Sequence, residues 1–567
     1  MYSNKQSVNI LTSILVARGI RNAVVCPGSR NIPIVHNLSE CEDIDCHPVT
    51  DERSAAFYAL GIALATKEPV VVCVTSGSAV LNTSPAVAEA FYRHIPLIVI
   101  SADRPSEWID RQDGQTMRQL NSLGNIVKNQ VEIEDFFSGD AVKSRHACLL
   151  LNTALNAAVR GCKGPVHINM HLDEPLFDFT TMSLPSCCNI RMIGSDNNGM
   201  AVQGEEVLEK FVKSGSKMLV IGQLEYRDAE TDAVIRELRK RLVVVNEPLS
   251  SAYSCLMDMA LADGKTLSSK FAHIDFLLSM GGNIVSKRLK KFLRDADVAE
   301  CWEINKSAEI HDTFMHQTGV ICCDEKAFLK SLLDRISRAE TTEGTHRDIF
   351  LDSWNGLLNR VASAAERYEP SFSQLMAVRQ FEYSLLDMEY DYEVHYANSM
   401  AVRLGCIYSQ HYIWCNRGIN GIDGSISTAA GFSLATDAMV FCVSGDLSFF
   451  YDQNALWNAK LRGNLRILLI NNGGGFIFRQ LKGLDSADKS MPYIMGSHIV
   501  DAHGICEQND IGYLSARNEL EYQTALVHFL TETTSRPIVF EVFTDADVDK
   551  KEYTMFSESV KDSLLQL

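Results

Sequence analysis

Two short polar segments, each placed directly after an apolar run, contain residue types suited to binding a metal ion and a diphosphate. Gly445-Asp446-Leu447 follows the run Met439 to Val443, and Asn471-Asn472 follows the run Ile467 to Ile470. Such runs predict buried strands of a parallel sheet, whose carboxyl ends share the edge where α/β proteins bind ligands. A hard cation such as Mg²⁺ prefers oxygen ligands, which a carboxylate, an amide, a backbone carbonyl and a diphosphate supply. The pattern therefore predicts a metal–diphosphate site.

The sequence between these segments is long enough for the crossover helix that parallel neighbours require, and we expect that helix from Asp452 to Leu461. The run Gly473-Gly474-Gly475 lets the backbone approach a ligand closely, because glycine has no Cβ. Gly-Asp and Asn-Asn-Gly are also ordinary turn sequences after strands. Taken alone, the pattern leaves both interpretations open.

A second candidate binding region lies near the N-terminus. Asp51-Glu52 brings carboxylates to the start of a small-residue helix predicted from Ala55 to Ala65. The apolar strand Val70 to Val74 then opens into Thr75-Ser76-Gly77, and a strand, a Gly/Ser turn and a helix together direct backbone N–H groups at a ligand. A glutamate before apolar sequence is most often a helix-start charge. Turns of the ligand-binding type in both halves of the chain favour the functional interpretation.

Length and charge limit the classes of protein that the chain can belong to. At 567 residues it is too long for one hydrophobic core and predicts about three or four domains. The formal net charge of −18 argues against a general nucleic-acid surface. No apolar run approaches the roughly 18 residues that a membrane span needs, and Val8 to Val16 fits an amphipathic first helix better than a signal peptide. We expect a cytoplasmic protein with no nucleic-acid partner, whose 16 cysteines are reduced.

Apolar runs alternate with helical stretches along the chain, which predicts the α/β class: three consecutive domains with mainly parallel sheets flanked by helices. We expect these domains at residues 1–183, 199–336 and 367–567, with a linker from Ser183 to Asn198 and a polar helical stretch from Arg338 to Glu366. The middle domain shows no Gly-Asp or Gly-rich phosphate turn, which predicts a mainly structural role with limited ligand contact. The outer two domains are interpreted as distant copies of one architecture. The predicted strands are Ala23 to Cys26, Val70 to Val74, Leu97 to Ser101, Pro165 to Ile168, Met218 to Gly222, Leu242 to Asn246, Phe276 to Met280, Gly319 to Cys322, Tyr412 to Cys415, Met439 to Val443, Arg466 to Ile470 and Pro537 to Phe543.

A glutamate in an N-terminal α/β unit together with Gly-Asp and Asn-Asn in a C-terminal one resembles the thiamine diphosphate enzyme superfamily. Further segments resemble its carboligase branch in menaquinone biosynthesis, and they extend over nearly the whole chain. They are Pro27-Gly28-Ser29-Arg30, Asp51-Glu52-Arg53-Ser54, Thr75-Ser76-Gly77, Ala102-Asp103-Arg104-Pro105, Asn416-Arg417-Gly418, Gly421-Ile422-Asp423-Gly424 and Gly445-Asp446-Leu447-Ser448. The resemblance implies an N-terminal pyrimidine-binding domain, a central α/β domain and a C-terminal diphosphate-binding domain.

The resemblance also implies an activity. The cofactors are thiamine diphosphate and Mg²⁺ or Mn²⁺, and the substrates are 2-oxoglutarate and isochorismate. The enzyme is a transferase that decarboxylates 2-oxoglutarate and adds the resulting succinic semialdehyde carbanion to isochorismate in a 1,4-addition. In the superfamily two subunits build each site, so we expect at least a homodimer and leave a tetramer open.

The roles of individual residues follow by resemblance as well. Glu52 is the catalytic carboxylate that hydrogen-bonds the cofactor's aminopyrimidine, and Ile422 is the apolar wedge that folds the cofactor into a V shape. The expected cofactor contacts are Glu52, Thr75, Ser76, Gly77, Ile422, Gly445, Asp446, Leu447, Ser448, Asn472 and Phe478. The expected metal ligands are Asp446, Asn472 and, through its carbonyl, Gly474.

Arginines next to predicted turns are candidates for substrate recognition, because a guanidinium group pairs with a carboxylate through two hydrogen bonds. The resemblance assigns Arg403 and Arg417 to the distal carboxylate of 2-oxoglutarate. A second group is expected around isochorismate: Ser29, Arg30, Arg104, Gln115, Lys287 and Arg288. For each arginine the alternative is an exposed or salt-bridged side chain.

The chain departs from the family pattern in two places, and two other functions stay open. Asn31-Ile32 stands where the family often has Ser-Thr, and Gly473 stands where it often has a third asparagine. The first alternative is another thiamine diphosphate-dependent 2-oxo-acid decarboxylase or carboligase of the acetolactate synthase type, which would favour pyruvate. The second is a nucleotide-binding or regulatory module without catalysis, which would be indifferent to Glu52. The arginines next to several motif turns favour the menaquinone branch.

Overall fold

The computed structural model describes residues 1–136, 139–190, 192, 202–224, 228–252, 256–262, 271–343, 348–475, 477–478 and 489–564. Within them the chain forms three sheets, from residues 22–171, 217–322 and 392–543. All strand pairs in these sheets are parallel. The predicted α/β class with three parallel sheets is confirmed. Part of the predicted linker, residues 191 and 193–198, lies outside the described residues.

The first sheet has six strands in the order β2-β1-β3-β4-β6-β5. They are β1 (Asn22–Val25), β2 (Asp45–Pro48), β3 (Val70–Val74), β4 (Leu97–Asp103), β5 (Asn129–Ile133) and β6 (Val166–His171). The central strands β3 and β4 are buried at every residue, as expected where helices cover both faces of a parallel sheet. The helices of this unit are α1 (Gln6–Ala17), α2 (Ile32–Glu40), α3 (Glu52–Thr66), α4 (Ser78–Asn82), α5 (Ser84–Tyr92) and α6 (Ala141–Val159).

The second sheet has five strands in the order β11-β10-β9-β7-β8. They are β7 (Lys217–Ile221), β8 (Val243–Asn246), β9 (His273–Met280), β10 (Asp297–Asn305) and β11 (Gly319–Cys322). Its helices are α7 (Val202–Lys213), α8 (Ala229–Arg239), α9 (Met257–Ala260), α10 (Lys287–Asp295) and α11 (Glu325–Glu343).

The third sheet has six strands in the order β13-β12-β14-β15-β17-β16. They are β12 (Tyr392–Tyr396), β13 (Ile413–Trp414), β14 (Met439–Gly445), β15 (Leu465–Asn471), β16 (Gly512–Ala516) and β17 (Ile538–Phe543). The helices are α12 (Ile349–Arg367), α13 (Gln374–Leu385), α14 (Met400–Tyr408), α15 (Ser425–Leu434), α16 (Asp446–Tyr451), α17 (Met491–Met495), α18 (His503–Gln508), α19 (Glu519–Thr531) and α20 (Ala546–Leu564). Counted from the first strand of each sheet, the first and third sheets share one order, 2-1-3-4-6-5. This shared topology supports the interpretation of the outer units as copies of one architecture.

The predicted crossover helix from Asp452 to Leu461 is wrong. Helix α16 begins at Asp446 and ends at Tyr451, and only a short 3-10 turn, Gln453–Leu456, follows it. The Asp452 carboxylate accepts hydrogen bonds from the backbone N–H and the hydroxyl of Ser427 in α15. Side-chain hydrogen bonds of this kind compete with helix continuation.

Five strands escaped prediction, namely β2, β5, β10, β12 and β16. The strands β2, β5 and β16 carry polar residues and are only partly buried, so they lack the continuous apolar run of the central strands. In β10 buried and half-exposed residues mix along Asp297–Asn305. Strands β2, β5 and β16 are sheet edges, which give a weak sequence signal because one side of the strand has no neighbour, whereas β10 and β12 lie inside their sheets.

The first and third units pack through a close crossing of α3 and α15. A Cβ on Gly61 would lie 2.0 Å from the carbonyl oxygen of Thr428, and a Cβ on Gly431 would lie 2.1 Å from that of Tyr58. Only glycine allows two helix backbones to come this close. The crossing fixes α3, whose first residue is Glu52, against the third unit. In the described part of the chain, no helix is both long and apolar enough to cross a membrane.

Candidate active site

The N-terminal motifs meet at the carboxyl edge of the first sheet. The four strands that precede them, β2, β1, β3 and β4, are consecutive neighbours in that sheet. Glu52 follows β2, Arg30 follows β1, Gly77 follows β3 and Arg104 follows β4. Because parallel strands end at a common edge, segments that are far apart in sequence face one crevice.

Glu52 is the first residue of α3 and is partly buried. The preceding residue, Asp51, caps the helix, because its Oδ1 accepts from the backbone N–H groups of Arg53 at 2.9 Å and Ser54 at 3.2 Å. The Glu52 Oε2 accepts from the Nδ2 of Asn82 at 3.3 Å. Within the described residues Glu52 forms no ion pair, which leaves its carboxylate available to a ligand.

The turn after β1 packs tightly against the turn after β3. A Cβ on Gly28 would lie 2.3 Å from the Cβ of Thr75. Gly77 has φ +80°, and its backbone N–H donates to the Oε1 of Gln119 at 2.7 Å. Thr75 and Ser76 are buried next to it. The side chain of Gln119 therefore fixes the turn that was predicted to contact the cofactor, although no sequence motif pointed to it.

The structure places the four isochorismate candidates of the first unit along this edge in different environments. The Arg30 guanidinium is buried, donates to the carbonyl of Leu172 at 2.9 Å and lies 3.3 Å from Glu174. The Arg104 Nε donates to the carbonyl of Gly114 at 3.0 Å and lies 3.2 Å from the Oδ2 of Asp113. Ser29 and Gln115 are exposed, and Gln115 adjoins Gly77.

The two C-terminal polar segments meet as predicted. Strands β14 and β15 are paired, with Gly445 opposite Ile470. The Oδ2 of Asp446 accepts from the backbone N–H groups of Gly474 at 2.8 Å and Asn472 at 3.2 Å, and its Oδ1 accepts from that of Leu447. The three candidate metal ligands, Asp446, Asn472 and Gly474, are thus neighbours around one carboxylate.

The surroundings of the Asp446 side chain disfavour its charged form. Its side chain is buried, and burial raises the pKa of the carboxyl despite the backbone hydrogen bonds and the nearby His498, whose Nε2 lies 3.4 Å from Oδ2. A buried carboxylate that lacks a strong cation partner gains from a bound metal ion. The residues therefore fit a cation. In the described regions no group of three or more His, Cys, Asp and Glu could hold a metal, so the donor set is one carboxylate with neutral oxygens.

The side chain of Asn472 is held by Asp549, a residue that the sequence analysis missed. The Asn472 Nδ2 donates to the Asp549 Oδ2 at 2.9 Å, and the hydroxyl of Thr544 donates to the same oxygen at 2.7 Å. With its nitrogen committed, Asn472 has Oδ1 left as a ligand atom. Gly474, at φ +144°, adopts a backbone conformation that favours glycine.

The candidate wedge, Ile422, lies next to Ser448 of helix α16. Its carbonyl accepts a hydrogen bond from the hydroxyl of Ser448, and its side chain is 42% exposed, so it is available to pack against a ligand. Leu447 and Phe478 both lie within 3.2 Å of a Cβ built on Gly475, which places them next to the glycine turn. Phe476, between the described residues 475 and 477, lies outside the described residues.

Arg417 is a buried cation without a carboxylate partner among the described residues. Its side chain is 9% exposed, and its NH1 and NH2 donate to the amide oxygens of Asn398 at 2.9 Å and Asn283 at 3.3 Å. Its Nε has no hydrogen-bond partner in the described part of the chain. Burial of an unpaired charge costs free energy, and a bound anion would offset that cost.

Arg403 is partly buried on α14 and forms no ion pair within the described residues. It lines a cavity between the middle unit and the C-terminal helices, together with Glu247, Asp258, Ser286, Cys406 and Tyr553. The lining of this cavity thus combines the Arg403 guanidinium with the carboxylates of Glu247 and Asp258.

The middle unit places its two candidate residues differently. Lys287 is exposed, whereas the Arg288 NH1 donates to the Asp258 Oδ2 at 3.0 Å. Strand β9 is followed by Gly281-Gly282, which packs on Gly222 directly after β7.

A glutamate of the first unit supports the loop that carries Arg417. The Glu89 carboxylate accepts from the backbone N–H groups of Gly418 at 2.8 Å and Ile419 at 2.9 Å. Burial raises the pKa of Glu89, and the nearby Arg93 opposes that shift. Glu89 lies within the apolar helix α5, where nothing in the sequence distinguishes it from an ordinary surface glutamate.

The two halves of the candidate site lie in the first and third units of one chain. The flanking residues of Glu52 reach the third unit, since Asp51 accepts from the Nδ2 of Asn454 and Arg53 donates to the carbonyl of Tyr451, both at 2.7 Å. Among the described residues, no hydrogen bond joins Glu52 to Asp446.

Comparison with known proteins defines the class. The chain matches three family models: the N-terminal TPP binding domain of thiamine pyrophosphate enzymes over residues 6–123, their middle domain over residues 202–353 and their C-terminal TPP binding domain over residues 397–542. The protein is thus a thiamine pyrophosphate enzyme, pyrophosphate being another name for diphosphate.

Similarity to curated proteins narrows this class. The chain is 36% identical to the 2-succinyl-5-enolpyruvyl-6-hydroxy-3-cyclohexene-1-carboxylate synthase of Phocaeicola vulgatus, over 97% of each chain. It is also 36% identical to the synthase of Bacteroides thetaiotaomicron, over 97% of this chain and 98% of the relative, and 34% identical to that of Porphyromonas gingivalis, over 98% of each. The chain belongs to the family of 2-succinyl-5-enolpyruvyl-6-hydroxy-3-cyclohexene-1-carboxylate synthases.

Proposed function

We propose that this chain catalyses the reaction of its family: decarboxylation of 2-oxoglutarate and 1,4-addition of the resulting four-carbon unit to isochorismate, in menaquinone biosynthesis. The observation that carries the proposal is Arg417. A buried arginine that meets only neutral amides is suited to the carboxylate of an anionic substrate. Arg403, with no ion pair among the described residues, lines a cavity between the middle unit and the C-terminal helices. Pyruvate, the substrate of an acetolactate-type enzyme, has no distal carboxylate for these arginines to bind.

The chain's residues bind and orient the reactants. Thiamine diphosphate supplies an electron sink at the carbon from which CO₂ leaves. Glu52 holds and exchanges a proton at N1′ of the aminopyrimidine, for which its carboxylate, free of ion pairs within the described residues, is suited. Asp446, Asn472 and the carbonyl of Gly474 hold Mg²⁺ or Mn²⁺ at the diphosphate. Ile422 supports the folded shape of the cofactor.

Substrate recognition divides between two groups of residues. Arg403 and Arg417 hold the distal carboxylate of 2-oxoglutarate. The second group receives isochorismate: Ser29, Arg30, Arg104, Gln115, Lys287 and Arg288. Positioning two anions in turn, with fixed positive charge around them, provides both orientation and electrostatic stabilisation.

The working unit is at least a homodimer in this proposal. One chain contains both half-sites, but no hydrogen bond among the described residues joins Glu52 to Asp446. In the dimer, the Glu52 half of one copy and the Asp446 half of a second copy, related by a two-fold axis, together form each complete site. We expect the enzyme to meet its small anionic substrates in the cytoplasm.

An omission assay of the purified protein tests the proposal. The complete mixture contains 2-oxoglutarate, isochorismate, thiamine diphosphate and Mg²⁺, and each component is left out in turn while CO₂ and the coupled product are measured. The expected result is product only in the complete mixture. A second series replaces 2-oxoglutarate with pyruvate. Faster turnover of pyruvate, or coupled product without isochorismate, would overturn the proposal in favour of an acetolactate-type activity.

A further inference from the structure

The middle unit has a crevice of the ligand-binding type that faces Arg417. In the sheet order β11-β10-β9-β7-β8, strand β8 adds on one side of β7, whereas β9 and the later strands add on the other side. Open α/β sheets bind ligands at such a switch in strand order. Gly222 follows β7 and Gly281-Gly282 follows β9, and a Cβ on Gly222 would lie 2.0 Å from the carbonyl oxygen of Gly282. The next residue after each turn reaches the loop of Arg417: Gln223 donates to the carbonyl of Cys415 at 2.8 Å, and Asn283 accepts from Arg417.

Two cations share one neutral acceptor at this crevice. The Asn283 Oδ1 accepts from the Arg417 NH2 at 3.3 Å and from the Lys290 Nζ at 3.4 Å. Lys290 is partly buried on α10. Burial is the main cause that lowers the pKa of its ammonium group, and the positive charge of the nearby Arg417 lowers it further. Bringing two like charges this close in a half-buried place is unfavourable unless an anion joins them.

A nearby carboxylate, Glu247, does not serve as that anion. Glu247 lies close enough to influence both cations, yet its two oxygens accept from the backbone N–H groups of Val285 at 2.7 Å and Ser286 at 2.8 Å, at the start of α10. It therefore forms part of the helix start, and no salt bridge within the described residues joins it to Arg417 or Lys290. Glu89, which also lies near Arg417, likewise accepts from backbone N–H groups, those of Gly418 and Ile419.

We propose that Lys290 and Asn283 of the middle unit complete, with Arg417, the pocket for a substrate carboxylate. This inference rests on the proposed function, in which Arg417 holds the distal carboxylate of 2-oxoglutarate. The carboxylate accepts from Arg417 and Lys290 together, while the Asn283 oxygen orients both donors. The middle unit then contributes directly to selection of a dicarboxylate, beyond any scaffolding role.

Lys290→Gln tests this assignment. We expect the KM for 2-oxoglutarate to rise about tenfold, since a hydrogen bond to a charged group is lost, with kcat and the KM for isochorismate changed by less than about twofold. Lys290→Arg should retain most of the affinity. Lys291→Gln is the matched control, because Lys291 is the exposed neighbour on the same helix, and it should behave as the wild type. An unchanged KM for 2-oxoglutarate in Lys290→Gln, or an equal rise for both substrates, would overturn the inference.

A binding measurement separates this inference from the proposed function. Glutarate, a dicarboxylate without the reactive 2-oxo group, is titrated calorimetrically into the holoenzyme and its variants. Asn283→Asp places a carboxylate between Arg417 and Lys290, and we expect it to weaken glutarate binding at least about tenfold. If the wild type fails to release CO₂ from 2-oxoglutarate, the proposed function fails. If the wild type turns over and both variants bind glutarate normally, only the inference fails.

Discussion

The Asn472 side chain donates to the buried carboxylate of Asp549 at 2.9 Å, which joins the residue after the central strand β15 to the C-terminal helix α20. Asp549 also accepts from Thr544 and from the backbone N–H of Gln374, so it is held from three directions. This bond fixes which atom of the Asn472 amide remains for a cation. A residue far from the metal motif in sequence thus sets the orientation of a proposed metal ligand.

Asp549→Asn should weaken metal binding. The substitution puts an amide against the Asn472 amide and removes a charged acceptor, so we expect the Kd for Mg²⁺ in the presence of thiamine diphosphate to rise about tenfold or more. Loss of hydrogen bonds to a buried acceptor should also cost about 1–3 kcal/mol of unfolding free energy. Calorimetric titration with Mg²⁺ checks the first effect. Asp562→Asn, an exposed position on the same helix, is the control. Unchanged affinity would show that Asp549 does not orient the ligand.

Glu52→Gln should abolish most activity while leaving the fold intact. The variant keeps the shape of the side chain and loses its ability to exchange a proton, which predicts a fall in kcat of about 100-fold or more. Its melting temperature should stay close to that of the wild type, because Glu52 is partly buried and forms no ion pair among the described residues. Steady-state kinetics and thermal unfolding provide the two measurements. Glu68→Gln, at an exposed position beyond the same helix, is the control, and a variant that retains kcat would contradict the assignment.

Asp452→Asn should change how stability depends on pH. Burial raises the pKa of Asp452 to about 7 from its ordinary 3.8, against the opposing hydrogen bonds from Ser427. Between these values the folded state binds more protons than the unfolded state, so the wild type loses unfolding free energy as pH rises from about 4 to about 7. The variant does not titrate there. Its stability relative to the wild type should therefore increase by about 1 kcal/mol per pH unit across that window.

Urea denaturation of both proteins at pH 5, 6 and 7 measures this difference. Asp437→Asn serves as the control, because that side chain is fully exposed. A gap between Asp452→Asn and the wild type that does not vary with pH would show that Asp452 is ionised throughout.

Gly61→Ala should destabilise the contact between the first and third units. The new methyl group would lie 2.0 Å from the Thr428 carbonyl oxygen, so α3 and α15 must separate, at a cost of about 1–3 kcal/mol. Gly356→Ala is the matched control within helix α12, since nothing lies within 4 Å of its Cβ position. That change should instead stabilise the protein by up to about 1 kcal/mol through helix propensity. Thermal unfolding of the two variants should shift in opposite directions, and equal shifts would contradict the close crossing.

The sequence by itself determined the fold class, the central strands and the residues at their ends. Strands such as Val70–Val74 are continuous apolar runs, and that signal depends only on neighbours along the chain. Asp446 and Asn472 could be paired in advance, because a polar residue after each of two parallel strands must reach the same edge. The edge strand β2 and the short turn after Asp452 could not, since their conformations depend on partners elsewhere.

Only the tertiary structure decided which distant side chains support the site. Asn283 meets Arg417, Asp549 meets Asn472, and Glu89 binds the backbone after Arg417, each across a large separation in sequence. No local pattern marks these residues, because a hydrogen-bonding side chain looks the same in sequence whether it faces water or a buried partner. Strand order and helix packing bring such partners together, and they arise from burial of the whole apolar surface rather than from any one segment.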